Sequence, residues 1–333
     1  MFLTFYLKTQ YLLSILSVIV LYFYFVMVAD AISSHITLSI INRIHNKNKI
    51  LFPKNIIIIM EITLGHTPDA DDAFMFYGIA SGKVKSPNIR IKHVIEDIET
   101  LNRRALKHEL DVTAVSAHAY AYLKDYVILR SGGSFGLEYG PIVISKKKLS
   151  HSELRKCTIA IPGKMTSANL LLNFALGKFK EKETSFQTIP DEVLTDKVDA
   201  GLVIHEAQIA YDNSKLYNVL DLGEWWTSQT NGLPVPLGIN VASTKSMTLE
   251  QIRQFDKTFR NSILYSLKNL DAAVDFAMRY SRGQSRDVMT RFIKMYVNSM
   301  TIDMGVKGKK SIKKMFAIAK ERGILAVDRL RFA

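Results

Sequence analysis

VDAGLVIHEAQIAY, residues 198–211, changes character in its middle. Residues 200–204 form a short, unbroken apolar run, the mark of a strand covered on both faces. From Ala207 the apolar positions recur at helical spacing. A buried strand running straight into a helix is the repeating unit of an α/β fold. His205 and Glu206 stand at the junction, where open α/β sheets place their ligands. A lone histidine is more often structural or exposed than chemical. The position argues for chemistry here, because an imidazole titrates near neutrality and can take a proton at physiological pH. Glu206 either orients that ring or simply opens the helix, where negative charge is favoured. No second histidine stands at HExxH spacing, so the pair does not read as a metal site.

The same alternation extends from Met60 to the C-terminus. Residues 61–65 read as a strand, 67–69 as a turn, and 70–81 as a helix. Its first turn holds Asp69, Asp71 and Asp72, the charge that a helix N-terminus favours. Further strands are expected at 89–94, 112–115, 141–145, 158–161, 186–189 and 237–242. Helices are expected at 97–107, 117–123 and 168–176, and almost throughout beyond Thr248. The pattern predicts two α/β lobes, residues 60–154 with 244–333 and residues 155–243. Two crossings would join them, with a ligand cleft between.

Two segments resemble each other. IAIPGKMTSANLLL (159–172) is a strand, a Pro-Gly turn and a helix start, with Thr166 and Ser167 in the N-cap region. Unpaired N–H groups there suit a carboxylate or phosphate, and an ordinary hydroxyl cap is the plainer reading. VTAVSAHAYAY (112–122) repeats the plan with Ser116, Ala117 and His118, either a second polar cradle or a cap beside a surface histidine. The glycines of SGGSFGLEYGPIVI (131–144) read more simply as a hinge or tight hairpin than as a nucleotide loop, since no GxGxxG follows a strand. Trp225 and Trp226 read as packing before they read as a stacking platform.

The 333 residues carry a net charge of +13, but the basic residues are dispersed. The densest group, Lys307, Lys309, Lys310, Lys313 and Lys314, has the spacing of a solvated helix face, so no nucleic-acid partner is expected. The single cysteine, Cys157, excludes a disulfide framework and reads as an inert thiol. Residues 1–59 differ from the rest. Residues 11–29 carry no charge and are long enough to span a bilayer. They read as an anchor in contact with a membrane, as a signal peptide, or as an over-extended start ahead of an initiator at Met60. The last is the favoured expectation, with a cytoplasmic location; a membrane-anchored one follows if 1–59 are expressed.

From Met60 onward the chain resembles the 1,4-dihydroxy-6-naphthoate synthase family of menaquinone biosynthesis. The resemblance rests on HTPDADDAFMFYGI, VSAHAYAY, GLEYGPIVISKK, IPGKMTSANLLL, DAGLVIHEAQIAY and LGEWWTSQTNGLPVPLG, in the family's order. It implies a two-lobed fold like that of type 2 periplasmic binding proteins. It also implies a carbon–carbon lyase that acts on a small molecule, cyclic dehypoxanthinyl futalosine, without metal or organic cofactor. In the family's IHE motif the histidine is the proposed proton acceptor, here His205. The family's substrate contacts fall on Ser116, Ala117, His118, Thr166 and Ser167. Many relatives open with Ser-Pro-Cys-Pro-Asn-Asp, where this chain has residues 66–71, HTPDAD, a segment that borders the cleft in the implied fold. The rival reading is a non-catalytic solute-binding protein for a small anion, exported or anchored.

Overall fold

The computed structural model describes residues 59–333 apart from 87, 138, 206, 212–214, 282 and 326–329. Residues 1–58, including the apolar stretch 11–29, lie outside the described residues, as does Glu206. Ile59–Ala333 forms one unit. Among the described residues no helix is long and apolar enough to cross a membrane.

Two mixed sheets organise this unit. The first contains β1 (Met60–His66), β2 (Ile89–Ile95), β3 (Val112–Ser116), β4 (Tyr126–Ile128), β5 (Ser134–Gly136) and β11 (Val235–Ser243), in the order β2-β1-β3-β11-β4, with β5 also on β11. β1 runs parallel to β2 and β3, while β11 runs antiparallel to β3, β4 and β5. The second contains β6 (Ile142–Ser145), β7 (Thr158–Ile161), β8 (Lys180–Glu183), β9 (Ala200–Val203) and β10 (Tyr217–Asp221), in the order β10-β6-β9-β7-β8. Every residue of β3, β6 and β9 is buried, as unbroken apolar runs require.

Helices cover both sheets. α1 (Ala70–Ala80) is buried at every position from Ala70 to Phe76, and Phe76 stacks on Phe259 with ring centroids 4.3 Å apart. Such a pair adds about 1 kcal/mol beyond its buried area. α2 (Ile98–Leu106) is capped by Asp97, α3 (Ser167–Leu176) by Thr166, and α4 (Leu222–Thr230) by Asp221. α5 (Leu249–Lys268) starts in a Thr248–Gln251 capping box. Trp226 is buried and donates from Nε1 to the Pro234 carbonyl, and Trp225 leans on Phe174, so both tryptophans serve packing. The lysines expected on a solvated face lie on the helix Gly305–Glu321, where Lys307, Lys310 and Lys313 are exposed.

Three expectations need correction. The strand expected at 186–189 is absent, because Ile189–Leu194 is a helix with a proline in its first turn. The strand in this region is β8, the charged KEKE run. Residues 117–123 form only a short 3-10 turn, Ala119–Tyr122. The chain also changes sheet earlier than the boundaries at 154/155 and 243/244 suggest. β6 already pairs with β9 and β10, and β11 has already returned to the first sheet. Sheet membership follows from these distant pairings, which local pattern does not reveal.

The two crossings meet at a pair of glycines. The Leu222 N–H donates to the Pro141 carbonyl at 2.9 Å, and a Cβ on Gly140 would lie 2.8 Å from the Gly223 Cα. A Cβ on Gly223 would lie 2.2 Å from the Tyr139 carbonyl carbon. Backbone presses on backbone here, and no side-chain adjustment relieves an added methyl. Gly223→Ala is therefore expected to destabilise the protein by about 1–3 kcal/mol, read as a lowered urea midpoint against the wild type.

Candidate functional site

A cleft of roughly 660 Å³, its mouth included, opens between the sheets. One wall carries Thr67, Asp69, Asp71, Asp72, Ser116 and Asn240, and the other Thr166, Ser167, Ala168, Ile204, His205 and Gln208. β9 delivers His205. The strand ends at Val203, and His205 takes a left-handed backbone with φ 57°. Histidine is among the few side chains that visit this region with any frequency. The His205 carbonyl accepts from the Gln208 N–H, so the short helix Ala207–Ala210 starts at once. The Phe186 ring packs against the imidazole edge-on at 5.0 Å.

The imidazole is held from the opposite wall. His205 Nδ1 lies 3.2 Å from the Asp69 carboxylate, which is almost wholly buried. Asp69 occupies the N-cap of α1, yet its side chain caps no N–H of that helix. An Nδ1–H donated to Asp69 leaves Nε2 unprotonated, the tautomer a general base requires.

Two further aspartates crowd the same turn. Asp72 accepts from the Thr67 N–H at 2.7 Å and its hydroxyl at 2.8 Å. Burial pushes the Asp72 carboxyl up to about 6; the Thr67 bonds and a charged His205 pull back, and Asp69 adds to the rise. Burial raises Asp71 well above the usual carboxylate range, with Asp72 and Asp69 next in effect. The sequence reading gave these aspartates no chemical role beyond the helix dipole. Three carboxylates in four residues at a buried helix start exceed what a dipole asks for, and that surplus was the available signal. Gln208 and Tyr296, joined by Gln208 Nε2 donating to the Tyr296 hydroxyl at 2.8 Å, also line the cleft. Nothing local marks either one.

Four residues expected at the site, Ser116, Thr166, Ser167 and His205, meet in this cleft. The hydroxyls of Thr166 and Ser167 are already engaged. Thr166 donates to the Gly163 carbonyl and accepts from the Asn169 N–H, and Ser167 donates to the Leu237 carbonyl. What α3 offers a ligand is its first-turn N–H groups, at Ser167 and Ala168, with the positive end of the helix dipole. Ser116 Oγ accepts from Asn102 Nδ2 at 3.2 Å, which leaves its own proton to donate.

Ala117 and His118 do not line the cleft. The Ala117 N–H is tied to the Leu237 carbonyl, which turns the chain away from the opening. His118 instead bridges the two sheets, its Nδ1 3.1 Å from the Thr166 carbonyl and its N–H donated to Ser167 Oγ. Burial lowers the His118 pKa to about 4. Burial, with the nearby Asp199 and Glu153 carboxylates, raises the Cys157 thiol, so its thiolate is disfavoured. Among the described residues no group of three or more His, Cys, Asp or Glu is placed to hold a metal ion.

Residues 62–321 match the model of a family described as menaquinone biosynthesis. The chain is 36% identical to the 1,4-dihydroxy-6-naphtoate synthase of Thermus thermophilus, over 80% of this chain and 96% of that one. A crystal structure of protein AF1704 from Archaeoglobus fulgidus is 46% identical with a TM-score of 0.76, covering 80% of this chain and 98% of that one. The ligand-binding component of an ABC-type import system from Staphylococcus aureus superposes with a TM-score of 0.61 at 14% identity, over 82% of this chain and 97% of that one. At that identity the likeness speaks for the fold, which is that of the periplasmic binding proteins.

His118 gives a pH test of the join between the sheets. Its folded pKa lies below the ordinary value near 6.5, so its contribution is complete above pH 6.5 and is lost as pH falls toward 4. At pH 5 the wild type should have lost about 2 kcal/mol through this residue. His118→Gln retains a donor for the Thr166 carbonyl and cannot titrate. Its unfolding free energy, measured from pH 8 to 4.5, should fall less steeply than that of the wild type.

Proposed function

The chain belongs to the menaquinone-biosynthesis family, and we propose that it is a 1,4-dihydroxy-6-naphthoate synthase, a carbon–carbon lyase acting on cyclic dehypoxanthinyl futalosine. The family makes it an enzyme of menaquinone biosynthesis. The observation that carries the finer reading is the Asp69–His205 pair on the cleft wall, an arrangement that suits a general base. A pure solute-binding protein has no need of an oriented imidazole, and the likeness to import proteins extends to the fold alone. An enzyme of soluble intermediates belongs in the cytoplasm, and we place it there.

The substrate's benzoate-like carboxylate would sit at the N-terminus of α3, facing the Ser167 and Ala168 N–H groups and the Ser116 hydroxyl. The aspartate turn on the opposite wall would repel it from any other placement. His205 Nε2 then removes a proton from the fused ring. The electron pair left behind aromatises the ring to the naphthoate as the carbon–carbon bond to the sugar-derived fragment breaks, and the fragment leaves with that bond's electron pair and takes the proton back from the imidazolium. Asp69 stabilises the imidazolium formed in the first step and fixes the ring's orientation, the part a buried carboxylate plays beside a catalytic histidine. Lining walls from both sheets hold the reacting atoms in place.

The test uses side chains that the left-handed backbone accepts. Asparagine tolerates a positive φ, so His205→Asn should stay folded, while kcat for naphthoate formation from the cyclic futalosine falls about 10²–10⁴-fold. Near-wild-type turnover by this variant would remove His205 from the mechanism. Asp69→Asn should also lower kcat, by at least about tenfold, since it leaves the imidazole without its anionic partner.

A further inference from the structure

Two buried oxygens on the cleft wall have no hydrogen-bond partner in the protein, Asp71 Oδ1 and Asn240 Oδ1. Both residues line the cleft, with exposures of 6% and 2%. The Asn240 amide has one permitted orientation. Its Nδ2 donates to the Gly132 carbonyl at 2.8 Å, and a flipped amide would set oxygen against oxygen. Its Oδ1 is therefore fixed as an acceptor, on β11 opposite Ala114, another residue of the cleft wall. Tyr296 stands at the same cleft, and its hydroxyl, accepting from Gln208, keeps a proton to give.

The chemistry of these groups is selective. An anion would meet the crowded carboxyls of Asp69, Asp71 and Asp72. An apolar group would leave two buried oxygens unpaired. A hydroxyl donates and accepts at once, and so matches two acceptor oxygens and a phenolic donor that line one cleft.

We infer that Asp71 and Asn240, with Tyr296, form a hydroxyl-binding subsite that takes the sugar-derived fragment of the substrate. This rests on the proposed function and adds a direction to it. The substrate lies with its carboxylate at α3 and its hydroxyl-bearing end at the aspartate turn, with His205 between.

The reaction supplies its own control, because the naphthoate product lacks the sugar-derived fragment. Asn240→Leu removes the fixed acceptor but also deprives the Gly132 carbonyl of its donor. Asp71→Leu is run beside it, since Asp71 Oδ1 has no hydrogen-bond partner in the protein for the substitution to remove. Steady-state kinetics would give KM for the cyclic futalosine and the inhibition constant of added 1,4-dihydroxy-6-naphthoate. The expected result for either variant is a KM raised roughly 10- to 100-fold, with product inhibition within about twofold of wild type. Equal weakening toward substrate and product, or no change in KM, overturns the subsite. If the wild type itself neither binds nor converts the cyclic futalosine, the proposed function fails first and the subsite falls with it.

Discussion

The Asp69 carboxylate and the His205 imidazole, 3.2 Å apart, connect the two sheets across the cleft. Each half of the pair depends on a local backbone event. His205 reaches the cleft because the chain turns left-handed as it leaves β9. Asp69 reaches it because the first residue of the aspartate turn gives up the capping role its position invites. Burying a carboxylate costs several kcal/mol unless it is paired and hydrogen-bonded, and here two more carboxyls stand beside it. Proton uptake by His205 brings positive charge into that group, and a charged His205 lowers the Asp72 carboxyl.

Around this pair the cleft offers both kinds of hydrogen-bonding group. The N–H groups of the α3 N-terminus and the Ser116 hydroxyl are donors, and Asp71 and Asn240 contribute acceptor oxygens. The bonds of His118 and Ser167 across the join, and the Gly140–Gly223 contact at the crossings, tie the two walls together.

Much of this was legible in the sequence, and what was not has a physical cause. Unbroken apolar runs gave β3, β7 and β9 because burial on both faces leaves no alternation to confuse. β8 was hidden because an exposed edge strand of Lys and Glu has no hydrophobic pattern, and its charges serve to block further pairing. Phe186 and Ile189 suggested a strand because both are covered, but one packs against His205 and the other opens a helix. Ser116, Thr166 and Ser167 stand at strand-to-helix junctions, which allow either a ligand cradle or a plain cap, and the family resemblance pointed them to the cleft. His118, two residues past such a junction, could not, since its direction is set by a carbonyl on the other sheet. Asn240 and Tyr296 come from a mid-strand position and a late helix, and only the three-dimensional fold brings them to the site.

The central claim is that Asp69 fixes His205 as an Nδ1-protonated, neutral base. The most direct measurement is nitrogen NMR of protein labelled at histidine, comparing wild type with Asp69→Asn at neutral pH. The account predicts a His205 signal of the Nδ1–H tautomer in the wild type, replaced in the variant by the averaged signal of a ring exchanging between tautomers. A wild-type signal with the proton on Nε2, or one that Asp69→Asn leaves unchanged, would contradict it.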